Sequence, residues 1–241
     1  MKIKLTKQEK NWILYDVGNS AFTLLAATIL PIYFNYIAGK QGLSDVQYLA
    51  YWGYAVSIAT LLTALAGPVF GTVADTKGYK KPVFTIALGI GAIASVALGF
   101  AKYWLAFLVV FVIAKVGYSV TLVFYDSMLV DVTLEDRMDE VSSQGYAWGY
   151  IGSCVPFVIC LLVVLNAGKI GITMEIAMMV SFVIITVWWV KEKAWKAISA
   201  ACSKSMPSLV RMRMSSGTAM VGWVSLSCTA NCSAKRSRWG H

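Results

Sequence analysis

Histidine and charged residues are scarce in this sequence of 241 residues. The single histidine is His241, the last residue, so catalysis by imidazole and metal sites built on histidine ligands are not expected. The five cysteines form no CxxC pair, which gives no support to a disulfide framework. Only 14% of the residues are charged and 58% are hydrophobic, a balance that does not suit a soluble domain. We predict no cofactor and no enzyme, because no nucleophile–base pair is visible.

Long apolar runs are what the sequence has instead. A bilayer core about 30 Å thick needs roughly 20 apolar residues per helical crossing, which leaves room for about six crossings. The predicted spans are residues 12–38, 48–74, 82–101, 103–125, 146–166 and 170–190. The apolar first run is too long for a cleaved signal peptide. The sequence therefore predicts an all-α membrane protein with a bundle of six transmembrane helices over residues 1–193.

Basic residues are distributed unevenly between the connections of these spans. The segments on the side of the N-terminus hold eleven of them: Lys2, Lys4, Lys7, Lys10, Lys77, Lys80, Lys81, Arg137, Lys191, Lys193 and Lys196. The opposite segments hold three: Lys40, Lys102 and Lys169. Because cytoplasmic loops are enriched in Lys and Arg, we predict a multi-pass protein with a cytoplasmic N-terminus, in the plasma (inner) membrane if the source is bacterial. The net charge of +9 then reflects membrane topology and not nucleic-acid binding.

Small residues recur at four-residue spacing in three of the predicted spans. They are Ala59, Thr63, Gly67 and Gly71 in the second span, Ala87, Gly91, Ser95 and Gly99 in the third, and Gly145, Gly149 and Ser153 in the fifth. Such stripes let helix backbones approach closely in lipid. We expect these helices to pack on one another or on a missing partner. Indole rings at span ends are expected at the headgroup level: Trp12, Trp104, Trp188 and Trp189.

A specific motif lies between the second and third spans. It reads Gly71-Thr-Val-Ala-Asp75-Thr-Lys-Gly78-Tyr-Lys80-Lys81, and it resembles the G-x-L-A-D-R-x-G-R-K-R loop of the major facilitator superfamily. The glycines allow close contact and a tight turn, and the lysines would hold the loop inside. The resemblance implies a conformational loop formed by Gly71, Asp75, Gly78, Lys80 and Lys81.

Two further stretches narrow the resemblance. They run from Trp12 to Phe22 and from Tyr125 to Gly152, and they resemble the vacuole-effluxer branch of the superfamily, whose fungal members are associated with amino-acid release from the vacuole. The resemblance covers residues 10–193. It implies the N-terminal half of a twelve-helix secondary transporter that moves a small solute, with amino acids as the family-level expectation.

Charged residues inside the predicted spans are the candidates for the solute or proton pathway. Lys115 lies twelve residues after Tyr103, which at about 1.5 Å per residue puts it roughly 18 Å from the outer edge. An ammonium at that depth costs on the order of 3 kcal/mol, so it should face the interior of the bundle. The first and fourth helices line the cavity in the superfamily, which implies a pathway of Asp16, Asn19, Lys115, Ser119 and Asp126.

A structural alternative stays open for these charges. Asp16 and Asp126 could cap helices at the wet interface, and Lys115 could form a structural ion pair. Glu175 and Lys102 are expected at the interface. The stretch from Asp131 through the acidic run to Glu140 is expected to be a solvated loop.

The composition and periodicity of the sequence change after residue 193. Residues 194–241 show no helical or strand period and are expected to be a disordered or frameshifted tail, while six further helices of a full transporter are missing. Expected partners are membrane lipid, a small-molecule solute, protons, and a second copy or a separate C-terminal half. The alternative function is a truncated, non-transporting membrane fragment or a half-size interaction protein.

Overall fold

Helices account for the architecture of the described residues, which in this computed structural model are 4–76 and 79–190. They are α1 (Lys7–Lys40), α2 (Asp45–Asp75), α3 (Lys80–Ala97), α4 (Trp104–Val132), α5 (Met138–Leu165), α6 (Ala167–Ile170) and α7 (Met174–Val190). Single 3-10 turns, Leu98–Phe100 and Glu135–Arg137, follow α3 and precede α5. No strand occurs in the two described ranges. The tail predicted for residues 194–241 and Gly78 of the predicted loop lie outside them.

Five of these helices are long and apolar enough to cross a membrane, namely α1, α2, α3 with its 3-10 turn, α4, and α5 with the turn before it. The sixth predicted span corresponds to α7, an apolar helix whose described part has 17 residues. An all-α, multi-pass membrane protein, as the apolar runs predicted, is confirmed. The arrangement is that of a six-helix half of a major facilitator fold.

Local sequence signals set several helix ends. Thr6 and Ser44 are the N-caps of α1 and α2, and each forms a capping box with the residue three positions later, Glu9 or Gln47. Gly42 and Gly171 have φ of 81° and 78°, a conformation that glycine adopts without strain, and they form the turns before α2 and α7. These short connections make consecutive spans antiparallel.

The two ends of the bundle are named here after the predicted orientation. The inner end holds the start of α1 and the connections α2–α3 and α4–α5; the outer end holds the connections α1–α2, α3–α4 and α5–α7. Inside the bundle α1 packs mainly on α5, α3 and α2 pack on α4, and α7 contacts α1, α3 and α5.

The small-residue stripes of the third and fifth predicted spans lie at close helix contacts, as predicted. A Cβ on Gly145 would lie 2.7 Å from the Trp12 ring, and one on Gly99 would lie 3.0 Å from the Cα of Met179. In contrast, Cβ atoms on Gly67 and Gly71 of α2 would meet nothing within 4 Å. The stripe of α2 therefore has no partner among the described residues at these two positions.

The predicted acidic loop is wrong in most of its length. Asp131 lies in the last turn of α4, and Asp139 and Glu140 lie in the first turn of α5, which begins at Met138 and not near residue 146. Carboxylates are stabilised at a helix N-terminus by the partial positive charge of its free N–H groups. The acidic residues therefore favour the start of α5 at the point where the sequence suggested a loop.

Two of the four tryptophans expected at headgroup level are buried in the protein. The exposed fraction is 5% for Trp12 and 0% for Trp189. Trp12 stacks on Tyr125 with ring centroids 4.3 Å apart and donates its Nε1–H to the carbonyl of Tyr125 at 3.2 Å. The polar edge of the Trp12 ring is therefore satisfied by protein, and the level of both rings in the membrane stays a prediction.

Candidate functional site

Asp16 lies on the buried face of α1, close to α5. Its exposed fraction is 6%. A Cβ on Gly149 would lie 2.7 Å from the Oδ2 of Asp16 and 3.0 Å from the Oγ of Ser20. Only a glycine at position 149 leaves room for the carboxylate in this conformation. Local packing therefore positions the Asp16 side chain between α1 and α5.

Asn19 lies one turn further along α1 and is 1% exposed. It is adjacent to Asp16 and to the hydroxyl of Tyr118 from α4. That hydroxyl is also 2.6 Å from the Oγ1 of Thr23, and either atom can donate. The side-chain oxygen of Asn19 has no hydrogen-bond partner among the described residues, so it is available as an acceptor.

Asp126, from the last third of α4, reaches the same region. It lies near Asp16, and the two carboxylates would repel each other if both were ionised. In the described bundle Asp126 is exposed, and it forms no ion pair with a described residue. The structure therefore brings together Asp16, Asn19 and Asp126, with Asp126 on the open side.

Lys115 and Ser119 lie in the middle third of α4, on the outer side of Asp126, and are half-buried. The Nζ of Lys115 is 5.4 Å from the centroid of the Tyr118 ring, within the range of a cation–π interaction. No carboxylate of a described residue lies within ion-pair distance of it. Tyr118 thus connects the two parts of the candidate site, because it contacts both Lys115 and the Thr23–Asn19 side of α1.

A cluster of buried aromatic side chains packs beside the two carboxylates, and the sequence analysis did not predict it. Tyr15 contacts the rings of Tyr125 and Phe84 at centroid distances of 5.0 and 5.5 Å, and its hydroxyl accepts the Nε1–H of Trp189 at 3.4 Å. Tyr118 lies 5.6 Å from the Trp189 ring. The signal in the sequence was the tyrosine directly before each aspartate, Tyr15 before Asp16 and Tyr125 before Asp126.

The predicted conformational loop is only partly connected to the described bundle. Lys80 lies 2.7 Å from the Oδ2 of Asp131 and donates to the carbonyl of Ser127 at 3.3 Å. Asp75 is exposed at the end of α2, with no ion pair to a described residue. Lys81 is half-buried in the first turn of α3. Lys80 therefore fixes the start of α3 to the end of α4, while the α2 side of the loop is open.

A second buried charge at the inner end was not anticipated. Glu9 is 1% exposed, and Arg137 approaches its Oε2 at 3.1 Å. Thr133 donates its hydroxyl to Oε1 at 2.7 Å and the backbone N–H of Thr6 donates to Oε2 at 2.7 Å. The Thr-x-x-Glu spacing of a capping box, Thr6 to Glu9, was the available signal. This network joins the start of α1 to the α4–α5 connection.

Comparison with known proteins agrees with this architecture. The family model described as "Vacuole effluxer Atg22 like" matches residues 6–237. The chain belongs to this family. The matched range extends beyond residue 193, where the sequence prediction ended the resemblance, and the prediction for the tail stays a prediction.

Individual relatives are transporters by name. The chain is 39% identical over 194 residues to the uncharacterized MFS-type transporter YxiO of Bacillus subtilis, a match that covers 78% of the chain and 45% of that relative. It is 36% identical over 92 residues to the multidrug resistance protein MdtG of Yersinia enterocolitica, covering 38% of the chain and 21% of MdtG. The chain thus spans less than half the length of either relative. No solved structure shows significant similarity to it.

Proposed function

We propose that this chain takes part in secondary transport of a small solute, which binds between α1 and α4 and crosses the membrane by alternating access. The observation that carries the proposal is that Asp16, buried on α1, and Asp126, exposed on α4, face the same region of an otherwise apolar bundle. Ionisable side chains within apolar membrane helices are costly, because the surrounding lipid does not solvate a charge. Ionisable residues at such positions usually have a function, most often in a solute or ion pathway.

The charges of the region favour a zwitterionic solute. Two neighbouring carboxylates repel each other, and a bound ammonium group or a proton relieves that repulsion. Lys115, whose charge faces only an aromatic ring among the described residues, could receive a carboxylate further along α4. Amino acids carry both groups, and the description of the family as vacuole effluxer-like is compatible with such a solute. Asn19 and Ser119 would add hydrogen bonds.

The test is uptake of radiolabelled amino acids into proteoliposomes. Because the chain covers 45% of YxiO, the full chain is reconstituted alone and together with the part of YxiO that it does not match. We expect saturable uptake that Lys115→Ala abolishes and that Lys169→Ala, at an exposed position in the outer α6, leaves intact. Normal uptake by Lys115→Ala, with equal membrane insertion of both variants, would contradict the proposal.

A second candidate function is supported by α2. Only 6% of its most apolar stretch is buried in the described bundle, although the helix is long and apolar enough to cross a membrane. This open face favours a half-size membrane protein that acts only with a partner, either a second copy or a separate C-terminal half. Uptake that appears only with the remaining part of YxiO present would favour this candidate over transport by the chain alone.

A further inference from the structure

A cleft of about 660 Å³ opens at the outer end, away from Asp16 and Asp126. Three elements enclose it: the last turns of α1, the stretch from Gly99 to Tyr103 after α3, and the first turns of α7. Its lining combines aromatic rings with charged side chains, namely Tyr33, Tyr36, Phe100 and Tyr103 with Lys40, Lys102 and Glu175. Aromatic and basic residues together at the end of a membrane bundle are typical of the headgroup level.

The charges that line this cleft leave a net excess of one positive charge. Lys40 and Glu175 pair at 2.5 Å, and the hydroxyl of Tyr36 donates to the same carboxylate oxygen at 2.9 Å. Lys40 also lies over the Tyr36 ring, 4.4 Å from its centroid. Lys102 is exposed and forms no ion pair with a described residue. The fixed pair is neutral, and Lys102 supplies the charge that is not compensated.

A second, apolar groove continues from this cleft along α3 and α7. It has a volume of about 810 Å³, and its lining is Ala92, Ile93, Val96, Ala97, Phe100, Thr186, Val187 and Val190. Phe100 lines both spaces, so the groove begins where the charged cleft ends. From Phe100 to Ala92 the helix axis advances about 12 Å at about 1.5 Å per residue. This is close to half of a bilayer core about 30 Å thick, which is the depth that one acyl chain occupies.

We propose that the cleft and the groove together form a binding site for one phospholipid with a single net negative charge. The phosphate lies in the cleft near Lys102, between Tyr36 and Tyr103. One acyl chain fills the α3–α7 groove on the inner side of Phe100. The excess of one positive charge in the lining matches a headgroup such as phosphatidylglycerol. A zwitterionic headgroup has no net charge to match it. The site is separate from the solute region and does not depend on the proposed transport.

The headgroup part is tested with purified full chain in detergent micelles, to which 1-palmitoyl-2-oleoyl phosphatidylglycerol or the corresponding phosphatidylcholine is added. Native mass spectrometry counts the lipid that stays bound. We expect one phosphatidylglycerol retained in preference to phosphatidylcholine, and about fivefold weaker retention in Lys102→Gln, the effect of about one basic residue near an anionic lipid. Lys169→Gln removes an exposed lysine at the same end and is the matched control.

The acyl-chain part is tested by filling the groove. Ala97→Phe places a ring in the groove, whereas Ile86→Phe adds one at an exposed position of α3 outside both spaces. We expect Ala97→Phe, and not Ile86→Phe, to lower retention of the lipid with an unchanged circular dichroism spectrum. Equal retention of both lipids, equal effects of the two lysine variants, or equal effects of the two phenylalanine variants would each overturn the site and leave only non-specific surface lipid.

Discussion

The first two helices are alike in length and apolar character, yet they lie in opposite surroundings. Their most apolar stretches have mean hydropathies of 1.6 and 1.7, but 56% of that stretch is buried in α1 and 6% in α2. Residues such as Leu25 of α1 are fully enclosed, whereas Leu65 of α2 is 64% exposed. Hydropathy therefore reports that both helices belong in a membrane, and it does not report which one has protein around it.

What separates the two helices is the residue type on the neighbouring helix. The glycines of α5 remove side chains where α1 passes, and Trp12, Asp16 and Val17 enter the space that they leave. In lipid, apolar burial gives little driving force between helices, so close approach and dispersion contacts decide which pair associates. α2 carries its own small residues, but Gly67 and Gly71 face no described neighbour.

The largest expected effect is the loss of packing around α1. Leu25→Ala should destabilise the bundle by about 3 kcal/mol, because a fully enclosed leucine leaves a cavity. Leu65→Ala is the matched control on α2 and should change the free energy of unfolding by less than about 0.5 kcal/mol. Unfolding of the full chain in detergent–SDS mixtures measures both. A large loss for Leu65→Ala would mean that a partner covers α2.

The next effect tests the glycines themselves. A Cβ on Gly152 would overlap the side chain of Val17, so Gly152→Leu should force α1 and α5 apart at a cost of about 2 kcal/mol. Gly67→Leu should be tolerated, since a Cβ there meets nothing within 4 Å. Cross-linking between cysteines placed on α1 and α5 would follow their separation. If Gly67→Leu disrupted the fold as strongly, the contrast between α1 and α2 would fail.

Much of the fold could be predicted from the sequence because span length, small-residue spacing and short connections are local properties. The start of α5 could not, since Asp139 and Glu140 are compatible both with a wet loop and with the first turn of a helix. The burial of Trp12 and Trp189 against protein was not predicted for a related reason: whether a partner such as the Tyr125 carbonyl exists inside the bundle depends on tertiary contacts.

The candidate site, too, could be predicted only in part from the sequence. The charges Asp16, Asp126 and Lys115 were visible because they interrupt apolar runs, and their helical spacing placed the last two on one side of α4. The role of Gly149 beside the Asp16 carboxylate was not visible, because it depends on the register of α5 against α1. Glu9 was also missed, since its partner Arg137 lies 128 residues away along the chain.

The smallest effects concern the loop at the inner end of α2, and they extend the comparison to charged residues. Lys80→Gln should lower the free energy of unfolding by about 1 kcal/mol, because it breaks a half-buried ion pair with Asp131. Asp75→Asn should leave it unchanged within about 0.3 kcal/mol, since the exposed carboxylate has no described partner. The same SDS titration resolves the two variants when each is measured beside the unmodified chain. A loss for Asp75→Asn as large as that for Lys80→Gln would show that the end of α2 is held by a contact beyond the described residues, and α2 would then have to be regarded as a packed helix like α1.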